Sequence, residues 1–120
     1  MKYMLLIYDN EAMWAHFSPG ERAALMAEFG QFTKDIKASG TYLAGAQLQP
    51  STTATTVRIR DGKRMTLDGP FAEAREQLGG YYLIDAPDLD AAIAIAERIP
   101  SARFGTIEVR PVVESPGPSA

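Results

Sequence analysis

The chain has no cysteine and a single histidine, His16. Without thiols there is no disulfide framework, no thiolate nucleophile and no thiolate metal site, and the redox compartment cannot be read from cysteine usage. With one imidazole, only carboxylates are left to hold a metal, and no acidic spacing here suits one. The five methionines, Met1, Met4, Met13, Met26 and Met65, are scattered along the chain. No metal or other cofactor is therefore expected. Basic clusters are missing as well. Twelve Lys and Arg stand against fifteen Asp and Glu, with nothing beyond isolated pairs such as Lys63-Arg64. That leaves no positive stripe for a phosphate backbone, so nucleic-acid binding is disfavoured. Long apolar runs are the third gap. The opening MKYMLLIYDN carries one charge and an apolar stretch, but the stretch is too short for a signal segment or a span and meets Asp9 at once. The expectation is a cytoplasmic protein without membrane contact.

What is present suffices for one core. A chain of 120 residues that is 46% apolar can bury a single hydrophobic interior without staples. One domain over residues 1–113 is expected, followed by a flexible Pro/Ser/Gly tail over 114–120. Lys2 to Tyr8 (KYMLLIY) is apolar at every position after the lysine, which predicts a central strand covered on both faces. Asp9 to Ser18 reads as a polar loop. Ser18-Pro19-Gly20-Glu21 has a cap residue, a proline at the first helical position and a glutamate three after the serine, so a helix starts there. Leu25, Phe29, Phe32 and Ile36 give it one apolar stripe, and Gly40 ends it. Tyr42 to Ala46 is a short strand, and Thr53 to Arg60 alternates and joins Arg64 to Leu67 through the Asp61-Gly62 hairpin turn. Gly80 to Ala86 (GYYLIDA) is the second central strand. Asp88 caps a second helix that Pro100 stops, and Thr106 to Val113 is an edge strand because it contains Pro111.

The resulting order is two β-α-β halves, a ferredoxin-like split β-α-β fold of the α+β class. Both helices then lie on one sheet face. The other, including some of Tyr3, Leu5, Ile7, Tyr81 and Leu83, is apolar and needs a cover, which a second copy packed sheet to sheet supplies. A homodimer through the sheet face is expected.

The densest stretch is Asp68 to Ala86, DGPFAEAREQLGGYYLIDA. Its first part predicts a turn and a two-turn helix, with Asp68 as cap, Pro70 in the first turn, Phe71 in the core and the Gly79-Gly80 pair as the break. The alternative is that Asp68 and one of the glutamates face a pocket in which Tyr81 or Tyr82 shares their protons. With TATTVRIRDGKRM before it and ERIPSARFGTIEVRPV after it, this stretch closely resembles the DGPF-domain proteins of the YCII-related superfamily, over Met1 to about Val112. The resemblance implies a dimeric α+β barrel, a bacterial setting and a family whose members are mostly without an assigned activity. It also implies that some relatives act on ring substrates in dehydrochlorination or lactone chemistry, and that others associate with extracytoplasmic-function sigma factors. In the wider superfamily a helix histidine paired with an aspartate is the proposed acid/base unit. Counting back from Ala44-Gly45, that position falls near Glu28 here, within one residue, and His16 is not its equivalent. Either a carboxylate has taken over proton transfer with Asp68 as a second group, or this branch has lost the chemistry.

Two functional readings follow. In the first, a small enzyme without cofactor uses Asp68 with Glu28 or Glu76 on a small polar or aromatic molecule, in a pocket between sheet and helices near the Asp68 turn. Tyr8, His16, Gln47, Gln49, Arg64, Phe71, Tyr81 and Tyr82 are the candidate lining or ligand-binding residues. Each has a blander reading as surface, ribbon or core. In the second, the domain is a non-catalytic ligand-binding or regulatory module associated with a sigma factor.

Overall fold

Lys2–Asp9 forms strand β1, in which Tyr3, Leu5, Ile7 and Asp9 are buried and the residues between them are only half-covered. This alternation is that of a strand with one face pressed against helices. The computed structural model describes residues 1–114. After β1 come α1 (Glu11–His16), α2 (Pro19–Ala38), β2 (Tyr42–Gln47), a 3-10 turn at Ser51–Thr53, β3 (Thr55–Arg60) and β4 (Lys63–Asp68). Then follow β5 (Gln77–Asp85), α3 (Leu89–Ala96), a second 3-10 turn at Pro100–Arg103, and β6 (Thr106–Pro111).

The main sheet has the order β2-β5-β1-β6, antiparallel throughout. The two strands with the longest apolar runs are thus the central pair, as a split β-α-β topology requires. Tyr3 faces Ile84 and Leu5 faces Tyr82 across that pair. Phe32 and Ile36 of α2, Ala92 and Ala96 of α3, and Ile99 close over them as one core. Tyr3, Leu5 and Ile7, expected among the candidates for the open face, lie under the helices instead. Met4, Leu6 and Tyr8 take the opposite side, alternating as Tyr81 and Leu83 do with buried Tyr82 and Ile84. Among the described residues no helix is long and apolar enough to cross a membrane.

The start of α2 has the expected capping box. The Glu21 N–H donates to Ser18 Oγ at 3.1 Å and the Ser18 N–H to Glu21 Oε1 at 2.9 Å; the Ser18 backbone N–H first, and the Ser18 hydroxyl second, hold the Glu21 carboxyl below its usual range. Ser18→Ala is expected to cost about 1 kcal/mol, read as a lower urea midpoint at unchanged slope. The other end closes on Gly40 at φ 75°. There the N–H groups of Gly40 and Thr41 donate to the carbonyls of Lys37 and Ile36, which satisfies the last turn.

Three local expectations are corrected. Residues 11–16 are a helix rather than a loop. Six residues are too few to hold a helix alone, and the support is tertiary: Trp14, Phe17 and Phe104 pack edge to face, with centroids 5.6 to 6.0 Å apart. The short helix expected after Pro70 does not form, and residues 69–76 are irregular. Asp68 is a ladder residue opposite Thr55 and caps nothing. Phe71 is 74% exposed, with the Arg58 guanidinium 4.9 Å from its ring centroid, so that segment has no apolar stripe to bury. Finally, Gly79 and Gly80 do not break the chain but lie inside β5, where a Cβ on Gly80 would come within 2.8 Å of the Ala46 carbonyl oxygen.

The hairpin turn is as expected, with Asp61 and Gly62 both at positive φ. The β3–β4 ribbon is nevertheless a separate two-stranded sheet, and it leaves Val57, Ile59, Met65 and Leu67 exposed. The expectation for the tail falls outside the described residues except for Glu114, whose Oε1 accepts from the Lys2 N–H at 3.2 Å.

Candidate functional site

Asp9 is the last residue of β1 and keeps the parity of Tyr3, Leu5 and Ile7, so its carboxylate points to the helix side of the sheet, where it is 6% exposed. A carboxylate in such a place needs hydrogen bonds. One comes from Ser101, itself fully buried, whose Oγ donates to Asp9 Oδ2 at 3.1 Å. Ser101 is delivered by the second 3-10 turn, which the chain leaves through Gly105. A Cβ on Gly105 would sit 2.3 Å from the Tyr8 carbonyl oxygen and 3.0 Å from Asp9 Cβ. The glycine therefore lets this turn lie against the end of β1.

No hydrogen bond reaches Asp9 Oδ1 among the described residues, yet no fully buried side-chain oxygen or nitrogen is left unpartnered there. Oδ1 is consequently not wholly buried, and Asp9 lines a cleft of about 540 Å³ between the sheet and the two N-terminal helices. Ile7, Trp14, Met26, Phe29, Tyr42 and Leu48 supply apolar wall, and Asp9, Glu11, Thr33, Gln47, Gln49 and Ser101 the polar groups. Gly79 exposes the carboxylate further, because a Cβ there would stand 3.5 Å from Oδ1.

Two of the polar groups are already committed. Glu11 accepts from the Ser51 N–H at 2.7 Å and from Ser51 Oγ at 2.8 Å, while its own N–H donates to Gln77 Oε1 at 3.0 Å. It thereby ties α1 to the turn that follows the Leu48–Pro50 wall. Tyr82 lies 2.6 Å from Thr33 Oγ1, which donates its own proton to the Phe29 carbonyl at 2.9 Å. Since a threonine hydroxyl has one proton, Tyr82 is the donor of that pair and serves as wall rather than as acid.

Burial raises the Tyr82 phenol above its ordinary 10.0, an effect that the Thr33 hydroxyl partly offsets and Tyr42 adds to. A folded-state value above the unfolded one gives stability that is complete below the unfolded value and is lost as pH rises through the folded one. A stability curve should therefore fall above pH 10.0, and Tyr82→Phe should flatten that alkaline limb.

Residues 1–116 match the YCII-related domain. The chain belongs to the YCII-related family. An uncharacterised protein of Rhizobium meliloti (strain 1021) is 36% identical to it over 114 residues, spanning 93% of this chain and 92% of the relative. The ferredoxin-like α+β fold of the YCII-related domain agrees with the sheet order found here.

The site residues expected from the sequence of this YCII-related domain do not gather in one place. Gln47, Gln49 and Tyr82 line the cleft, and Tyr81 borders it although it alternates to the opposite sheet face. Asp68 is exposed at the end of β4 and Arg64 is exposed on the same ribbon. Glu28, near the position implied for the superfamily histidine, is exposed on α2 and pairs with Arg103 of the second 3-10 turn at 2.6 Å. His16 is exposed at the end of α1, and Phe71 is exposed beyond the ribbon. Glu76 accepts from Thr106 Oγ1 at 2.7 Å and borders, with Tyr8 and Arg75, a separate and more open hollow. None of Asp68, Glu28 or Glu76 reaches the cleft.

Sequence reasoning passed over Asp9, Glu11, Trp14, Thr33 and Ser101. For Asp9 a signal existed. It continues the i, i+2 series of Tyr3, Leu5 and Ile7, so parity tied it to their face, while the packing of the helices decided that this face is the core side. Ser101 had none, because its position depends on a turn 92 residues further along the chain.

Proposed function

We propose that this YCII-related domain is a small enzyme that uses Asp9 for acid/base chemistry on a small polar or aromatic molecule held in the cleft. The observation that carries this reading is a buried carboxylate with one oxygen fixed by Ser101 and the other open to an aromatic-walled cleft. A general base needs such an arrangement: a fixed orientation, a free lone pair and limited water. Gln47 and Gln49 supply neutral donors and acceptors that orient a ligand without competing for its proton. Trp14, the only tryptophan of the chain, lines the cleft, so its fluorescence is a direct reporter of occupancy. The test is a turnover screen of small ring compounds that perturb Trp14, repeated with Asp9→Asn. Undiminished turnover by that variant sinks the assignment.

A second copy on the open sheet face is also proposed, because Met4, Leu6, Tyr8 and Leu83 alternate away from the buried face and are only half-covered. Sedimentation at micromolar concentration reads it directly, and a monomer alone would rule it out.

A further inference from the structure

We infer that the ligand of the cleft is a small ring compound that presents a nitrogen N–H donor, cationic or neutral, to Asp9 Oδ1, and that carboxylate and phosphate compounds are excluded. This inference rests on the reading of the cleft as the ligand site and goes on to name the chemistry it selects.

The charge of the wall is the first ground. Two carboxylates, Asp9 and Glu11, line the cleft, and no lysine, arginine or histidine does so among the described residues. Lys37 contacts one lining ring, with its ammonium 4.8 Å from the Tyr42 centroid, but is not itself a lining residue. An anion entering this space meets like charge with no counter-ion, in surroundings less screening than water.

The second ground is the unspent valence of Asp9. Glu11 accepts from Ser51 with both oxygens, whereas Asp9 uses only Oδ2. A carboxylate that is 6% exposed accepts a donor more readily than anything else, and charge-assisted N–H···O bonds are among the strong ones. The third is the rest of the wall. Rings at Trp14, Phe29 and Tyr42 suit a flat body and favour a positive charge on it through their π faces.

The experiment uses matched aryl compounds on the full-length protein: benzamidine and benzylamine, benzyl alcohol, and benzoate and phenyl phosphate. Binding is read by Trp14 fluorescence and by amide shifts of Gln47, Gly79 and Ser101. Benzamidine or benzylamine is expected to bind at least about tenfold more tightly than benzoate, and Asp9→Asn to reduce that ratio to near one. Because the series is first compared on the unaltered protein, the ranking does not depend on how the variant folds. Benzoate or phenyl phosphate binding in the cleft as tightly as the amines overturns the ligand class and leaves the cleft as the site. Shifts of all the compounds confined to other surfaces, with Trp14 silent, overturn the cleft reading itself.

Discussion

Asp9→Asn is expected to lower turnover in the cleft by about 10²- to 10⁴-fold, the range over which a positioned general base contributes. The amide is nearly the same shape as the carboxylate, and its oxygen can still accept from Ser101, so the fold should be kept and the loss should appear in kcat. Retention of the fold would be checked by thermal denaturation alongside the kinetics. Asp68→Asn and Glu28→Gln provide the contrast. Asp68 is exposed on the ribbon and Glu28 is exposed and paired with Arg103, and neither lines the cleft, so each variant should turn over at the wild-type rate. If Asp68→Asn is inactive and Asp9→Asn is not, the chemistry lies at the ribbon turn and the cleft is bystander space.

Gly105→Ala should produce the largest loss of stability of any small substitution in the chain. The added methyl would stand 2.3 Å from the Tyr8 carbonyl oxygen and 3.2 Å from that of Ser101, and both are backbone atoms that cannot swing aside. Gly105 has no left-handed φ, so what is required there is space and not conformation. Relief demands moving the second 3-10 turn away from β1, which costs about 3 kcal/mol and lowers the melting temperature by roughly 10 °C. The same shift would draw Ser101 away from Asp9, so the surviving folded protein should also bind more weakly in the cleft. Gly30→Ala is the matched control. It lies inside α2 with nothing within 4 Å of its would-be Cβ, and it should stabilise the helix by about 0.5–1 kcal/mol. Equal melting temperatures for the two variants would show that the close approach at Gly105 is not rigid.

Local chemistry made several elements readable. Ser18 and Glu21 bond each other across one turn, Gly40 closes the same helix, and Asp61-Gly62 sets a hairpin, each through residues adjacent in sequence. The acidic segment after Pro70 misled for the complementary reason. Its residues have adequate helical propensity, but Phe71 finds no surface to pack on, and a short helix without tertiary support does not persist. Helix α1 is the reverse case. Its six residues look like loop, and Phe104, distant in sequence, holds Trp14 and Phe17 in place.

The site divides along the same line. Gln47, Gln49 and Tyr82 border the cleft because they flank or belong to strands that the topology brings together. Asp68 drew notice because its motif is uncommon, and uncommon sequence is not the same as convergent geometry.

By itself the sequence determined the fold class, the central position of β1 and β5, the main helix with both its caps, and the absence of thiol chemistry. These follow from periodicity, capping and composition, which act over a few residues. Only the tertiary structure decided which face of β1 turns inward, that Asp9 rather than Asp68 meets a cleft, and that Ser101 holds one of its oxygens. Those outcomes depend on the packing of segments some ninety residues apart, and burial, which makes a carboxylate chemically useful, is a property of that packing alone.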